Sequence, residues 1–229
     1  MYLESDNMIP TIVNALAVVM GSLLGILAKK GIPDKLKNIL FYAVGLTTLG
    51  IGINMSMSAN NFLIVLSSMA LGGLIGELLD IEGFLKKIGD NMQEGDFSTG
   101  FVMSSILFLV GPLTIIGSIN AGLTNDGTLI YTKSLLDGIS STVLSSIYGL
   151  GVMVSAGSVL LVQGSIVLLA SQLSFLTNEI YLNDLVAIGG IMVLGIGLKI
   201  LEIKDTKVGN FLPALLLSPI LVWIVSLFK

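Results

Sequence analysis

LGIGINM at Leu49–Met55 returns as LGIGLKI at Leu194–Ile200, each copy inside an apolar stretch and each followed by one further apolar stretch. Counting apolar segments, the first copy falls in the second and the other in the seventh. An odd number of crossings separates them, so two membrane-spanning copies face opposite ways across a bilayer. Inverted repeats of this kind are the architecture of many secondary transporters.

Composition places the chain in a membrane. A mean hydropathy of +0.97, 54% hydrophobic and 11% charged residues leave too few polar side chains to cover a water-soluble globule of 229 residues, so lipid must cover the rest. Backbone in hydrocarbon has to satisfy its own hydrogen bonds, which leaves helices or closed barrels. Continuous apolar runs, rather than polar/apolar alternation, select helices. The length corresponds to one domain over 1–229.

Several chemistries are missing. Cysteine and histidine are absent, which removes disulfides, thiolate catalysis and imidazole acid–base work. All eleven basic residues are lysines, so bidentate clamping of a phosphate or carboxylate is not available. A sequence pI of about 4.7 argues against a nucleic-acid partner. The glycines sit in apolar helices without the strand context of a nucleotide fingerprint, and no cofactor is expected.

Eight spans are predicted, at about 8–28, 36–57, 59–79, 98–119, 132–154, 158–177, 184–201 and 209–227. The leading MYLESDN has no positive n-region, and no cleaved signal peptide is expected. Lys29, Lys30, Lys35, Lys37, Lys86, Lys87, Lys199, Lys204 and Lys207 then fall on one side, with only Lys133 and Lys229 on the other. The positive-inside rule puts both termini outside the cytoplasmic face. Between spans three and four, Ile81, Phe84, Leu85 and Ile88 alternate at helical spacing with Asp80, Glu82, Lys86, Lys87 and Asp90, the pattern of a short amphipathic helix on the membrane surface. The repeat sets spans one to three against six to eight and leaves four and five as an unpaired centre.

That centre holds the unusual residues. Gly111–Pro112 inside span four removes a ladder hydrogen bond and predicts a kinked or broken helix. A break would aim the amide end of the half-helix carrying Ser118 and Asn120 at membrane depth, where an anionic group or polar carbonyl could bind; alternatively it is a packing kink. Lys133 and Asp137 lie one turn apart in span five and can neutralise each other. Ionisable residues within a membrane are functional candidates, although Lys133 at the interface could snorkel and leave Asp137 alone inside. Glu77, near the cytoplasmic end of span three, reads either as a cation or proton site or as a solvated boundary residue. Asn14, Asn54, Gln163 and Gln172 are amides that can serve only as helix–helix glue; Gln163, before Gly164–Ser165, stands out among them. Gly21/Gly25 and Gly72/Gly76 permit close helix approach, within one chain or between the copies of a homodimer.

The stretches Phe101–Gly138, Val154–Ser165 and Asn14–Gly25 resemble the YqgA-like family of bacterial integral membrane proteins. The most specific pieces are GP…GSI…GL and KS-x-LDG, matched by Gly111, Pro112, Gly117, Ser118, Ile119, Gly122, Leu123, Lys133, Ser134, Leu136, Asp137 and Gly138. Asp126 matches an acidic loop position. Ala121 stands where the family often carries an acid, so no role for that acid is carried over. The resemblance implies an inner-membrane location and supplies no substrate, the family being of unknown function.

The fold expected is therefore an all-α, polytopic transmembrane bundle of about eight spans, with an inverted repeat around a central pair that includes a broken helix. The function expected is transport of a small solute or ion by alternating access, proton- or cation-coupled, with Asp137, Lys133, Gly111, Pro112, Ser118, Asn120, Gln163 and Glu77 as site residues. A non-transporting regulatory or assembly protein is the alternative, a channel the third. One Lys–Asp pair without His, Cys or clustered carboxylates offers little for catalysis.

Overall fold

A computed structural model describes residues 6–29, 34–90 and 97–227. Met1–Ser5, Lys30 and Lys229 lie outside the described residues. Among these, regular structure is helical: α1 (Ile9–Lys29), α2 (Asp34–Ser56), α3 (Phe62–Leu78), α4 (Ile81–Asp90), α5 (Phe97–Leu109), α6 (Pro112–Thr124), α7 (Thr128–Tyr148), α8 (Leu150–Leu168), α9 (Ala170–Leu173), α10 (Glu179–Ile200) and α11 (Leu212–Ser226), with short 3-10 turns at Asp6–Met8, Ser174–Thr177 and Val208–Phe211.

The helices are inside-out relative to those of a water-soluble protein. On α1, Leu16, Met20, Leu24 and Leu27 are exposed at helical spacing, while Thr11, Asn14, Gly21, Ser22 and Gly25 are buried. On α7, Leu135 and Ile139 are exposed while Ser134, Ser141 and Ser145 are buried. Continuous stripes of exposed leucine and isoleucine on such apolar helices suit lipid rather than water, and between helices in lipid the small and polar residues make the contacts. The chain is a membrane protein. Four helical segments are long and apolar enough to cross a bilayer, namely Ile9–Ala28, Leu150–Leu168, Glu179–Ile200 and Val208–Ser226, or five if α5 and α6, bent by 60°, form one broken span. α3 is apolar but 17 residues long, and α7 is long enough at 21 residues but diluted by Lys133, Asp137 and its serines.

The chain divides into two compact units, Met1–Lys37 with Gly89–Thr177, and Asn38–Ile88 with Asn178–Lys229. In the first, α1 and α7 run side by side in the same direction. A side chain at Gly21 would strike the Gly138 carbonyl and Ser141, and one at Gly25 the Thr142 carbonyl and Ser145; Ser145 Oγ donates to Ser22 O at 2.9 Å. α5 and α8 run the other way, with Gly100 against Tyr148, Gly151 against Phe97 and Ser105 Oγ 3.0 Å from Ser158 Oγ. The turn between α7 and α8 is Gly149 at φ 68° and ψ −137°, a region open to glycine. The boundary predicted between 154 and 158 is thus earlier, because Leu150–Leu168 is one continuous helix and the backbone reversal needs the glycine. α9 and a 3-10 turn occupy the end of the predicted sixth span.

In the second unit α2 packs antiparallel on α10. Gly52 meets Leu194 and the Gly190 carbonyl, and Gly197 meets Leu49, so the two repeated heptapeptides lie on each other. α3 packs antiparallel on α11, with Gly72 against Ala214 and Gly76 against Asn210. Both glycine pairs singled out in the sequence are therefore used within the chain. Asn61 caps α3 through Leu63 N at 3.1 Å, and buried Asp184 accepts from the Asn60 and Asn61 amides at 2.7 and 2.9 Å. The helix predicted there forms as α4, with one correction: Glu82 is buried rather than on the wet face, and the side chains of Leu85, Lys86, Ile88 and Asp90 lie outside the described ones. Glu82 accepts from Gly209 N at 2.9 Å and pairs with Lys199 at 3.2 Å, which anchors α4 to its unit.

Candidate functional site

The unusual residues of the first unit converge. Lys133 and Asp137 project from adjacent turns of α7, are 5% and 6% exposed, and form an ion pair. Lys133 therefore does not snorkel. Asn14, fully buried on α1, donates from Nδ2 to Asp137 Oδ2 at 3.1 Å and to Gln163 Oε1 at 3.0 Å. Gln163, fully buried on α8, thereby joins the cluster. The Lys133 ammonium also sits 5.8 Å from the centre of the Phe108 ring at the end of α5, a favourable cation–π position.

The break at Gly111–Pro112 adjoins this cluster through Phe108. α5 ends at Leu109, Gly111 is the extended N-cap of α6 and Pro112 its first residue, the position where a missing N–H costs nothing. The loose backbone groups are partly satisfied locally: Thr114 Oγ1 donates to Phe108 O at 3.0 Å, and the Thr114 and Ile115 amides return to Gly111 O. The break is real, yet its amide end is less open than the sequence suggests. Ser118 is fully buried on α6 and its hydroxyl makes no hydrogen bond within the protein. Asn120, half-buried, lies about 200° around the same helix and so on another face.

Glu77 belongs to the second unit. It bonds Lys207 at 2.5 Å and Asn210 at 2.6 Å near the end of α3, and the Glu77 carboxylate holds the Lys207 ammonium above its ordinary pKa, chiefly through that hydrogen bond. Asp126, in the turn before α7, accepts from Thr128 N at 3.0 Å, and its hydrogen bonds to Thr128 lower its pKa. Among the described residues no three carboxylates gather around a common point.

Sequence reasoning placed Lys133, Asp137 and Gln163 but treated Asn14 as glue and overlooked Thr11, Phe108 and Thr114. A signal for Asn14 was present: it and Thr11, three residues apart, form a polar pair on one face of a helix whose other face is leucine. Ala121, by contrast, packs with Ile130, Val167 and Met8, an apolar setting.

The chain is 34% identical over 225 residues to the uncharacterized membrane protein YdfK of Bacillus subtilis (strain 168), covering 96% of this chain and 98% of that one. It is 30% identical over 217 residues to the uncharacterized protein YqgA of Escherichia coli (strain K12), covering 90% and 92%. No solved structure matches it. Residues 9–223 match the family described as protein of unknown function DUF554, and the chain belongs to that family.

Proposed function

We propose that this protein is a small-solute or ion transporter of the bacterial cytoplasmic membrane, working by alternating access around the Lys133–Asp137–Asn14–Gln163 cluster. The observation that carries this reading is the burial of a lysine, an aspartate and two amides together beside a broken helix. Ionisable side chains within a membrane are costly and mark solute or ion pathways. The path is lined by α5–α6 and α7. Asp137 is the coupling residue: Lys133 is its counter-charge in one state, and a proton or cation replaces Lys133 in the other. The protein is not an enzyme in this reading.

The architecture proposed with it is eight crossings, α5–α6 counting as one, with the first three spans inverted against the last three. Support comes from direction: α1 with α8, α2 with α10 and α3 with α11 are antiparallel pairs within their units. Ser68 and Ser218, both fully buried, also stand at corresponding positions, six residues beyond the starts of α3 at Phe62 and α11 at Leu212. The lysine asymmetry puts both termini on the extracytoplasmic side. One observation favours the competing reading of a non-transporting membrane protein: Lys133 and Asp137 satisfy each other within one helix and Asn14 ties them to α1, as a cross-brace would.

Proteoliposomes adsorbed on a solid-supported membrane, stepped in proton or sodium concentration, separate the two. The parent protein should give transient currents. Asp137→Asn, which keeps the shape and an acceptor for Asn14, should lose them. Parent currents equal to those of protein-free liposomes under both steps refute transport coupling; equal currents in Asp137→Asn leave Asp137 a structural partner of Lys133.

A further inference from the structure

Four fully buried polar atoms of the first unit make no hydrogen bond within the protein and lie in one band: Thr11 Oγ1 and Asn14 Oδ1 on α1, Gln163 Nε2 on α8 and Ser118 Oγ on α6. Thr11 and Asn14, three residues apart, share a face. Asn14 touches Gln163 directly. Gly122 packs on Val167 and Ala170, and Ser118, one turn earlier on the same face of α6, lies on the side of that helix turned to α8, which carries Gln163. Ser22, more than two turns further along α1, and Ser98, at the start of α5, are outside the band. A buried donor or acceptor without a partner is destabilising, and native proteins keep few of them; a group of four, including one amide N–H pair and one amide carbonyl, is a recognition surface for something that supplies the complementary atoms.

The charge around the band limits what that is. α5, α6 and α8 carry no charged side chain, and α1 carries only Lys29 at its far end. Lys133 and Asp137 cancel. A solute with net charge would enter this low-dielectric layer without a counter-charge, whereas a neutral one meets open donors and acceptors.

We propose that the transport site takes a small polar solute of zero net charge, which accepts from Gln163 Nε2, donates to Asn14 Oδ1 and reaches the Thr11 and Ser118 hydroxyls. The inference rests on the transport reading above and names its substrate class. Two sources share this chemistry, a zwitterion such as an amino acid and an uncharged amide or polyol. The gradient-driven ion remains the separate business of Asp137.

The test is thermal unfolding of the purified full-length protein in lipid nanodiscs with four probes: glycine, urea, acetate and methylammonium. Glycine or urea should raise Tm saturably, and which of them does so distinguishes zwitterion from uncharged solute. Acetate and methylammonium should not. Thr11→Val and Ser118→Ala remove hydroxyls without protein partners, so each should leave the Tm of the probe-free protein unchanged or higher while weakening the effective probe about five- to tenfold. The inference is overturned by acetate or methylammonium acting as strongly as the neutral probes, by no saturable shift from either neutral probe, or by unchanged binding in both variants. Ion-step currents that persist without any neutral-solute binding overturn this inference and leave the transport reading standing.

Discussion

Removing either member of the Lys133–Asp137 pair should cost far more than removing both. Lys133→Met leaves a buried carboxylate with Asn14 as its remaining partner, and Asp137→Leu leaves a buried ammonium facing Phe108. Stranding one partner of a buried ion pair costs about 3–5 kcal/mol. In the double variant no charge is stranded. What is lost is the Asn14 hydrogen bond to Asp137, and Asn14 Nδ2 keeps its bond to Gln163, so the double variant should lose only about 1.5–3 kcal/mol, the range for one bond to a charged group. Two singles summing to roughly 6–10 kcal/mol against that double imply a coupling of several kcal/mol in a double-mutant cycle. The assay is unfolding in mixed micelles titrated with sodium dodecyl sulfate and read by resistance to proteolysis. Singles that each cost under about 1 kcal/mol and simply add would show that the pair is screened as at a wet surface, and the buried-cluster argument would fail.

Three further outcomes follow from the same geometry. Gly76→Ala, whose methyl would strike the Asn210 carbonyl, should destabilise by about 1–3 kcal/mol, while Gly50→Ala, which meets nothing, should be neutral or slightly stabilising in the same micelle titration. Asp126 has a lowered pKa in the folded protein, so its contribution is fully present above the unfolded carboxylate value and lost as pH falls through the folded one; the protection of the Thr128 amide relative to its intrinsic exchange rate should fall in acid, and Asp126→Ala should remove that protection at neutral pH, whereas protection in the parent that stays constant into acid refutes the assignment. With no native cysteine to confuse the readout, single cysteines beside Asn60 and Asn183 should label with an impermeant thiol reagent from outside the cell and those beside Asp34 and Asp205 should not; labelling of Asn60 and Asp34 sites from the same side sinks the eight-crossing topology.

Helix positions were legible because apolar length and glycine–proline punctuation act locally. The broken pair around Gly111–Pro112, the amphipathic α4 and the heptapeptide that marks α2 and α10 all lie where the pattern puts them. The α7–α8 boundary was not, since Gly149 looks like any of several glycines in Tyr148–Gly157 and only its left-handed φ distinguishes it. Glu82 misled for a different reason: its partner Lys199 is 117 residues away, and periodicity within α4 has no access to a counter-charge on α10.

The site follows the same division between local and distant causes. Lys133 and Asp137 announce themselves because charge is expensive in lipid and their spacing is visible within one turn. The amide bridge from Asn14 to Gln163 joins residues 149 apart, and each amide alone reads as ordinary helix glue. The break misleads in the opposite direction. A helix interrupted by Gly–Pro suggests open amides as the binding group, yet the Gly111 carbonyl accepts from the Thr114 and Ile115 amides and the Thr114 hydroxyl closes the carbonyl of Phe108 on the other side of the break. The open hydrogen-bonding atoms lie instead on α1, α6 and α8, where Thr11, Asn14, Ser118 and Gln163 each keep one buried side-chain atom that makes no hydrogen bond within the protein. In the transport reading proposed above, the broken helix beside a self-neutralised ion pair is the hinge and the coupling charge, and the unpartnered amide atoms and hydroxyls are the surface a solute would complete. If that division is right, Thr11→Val and Ser118→Ala should weaken solute binding, and Asp137→Asn should remove the ion-step currents in a protein that still binds solute.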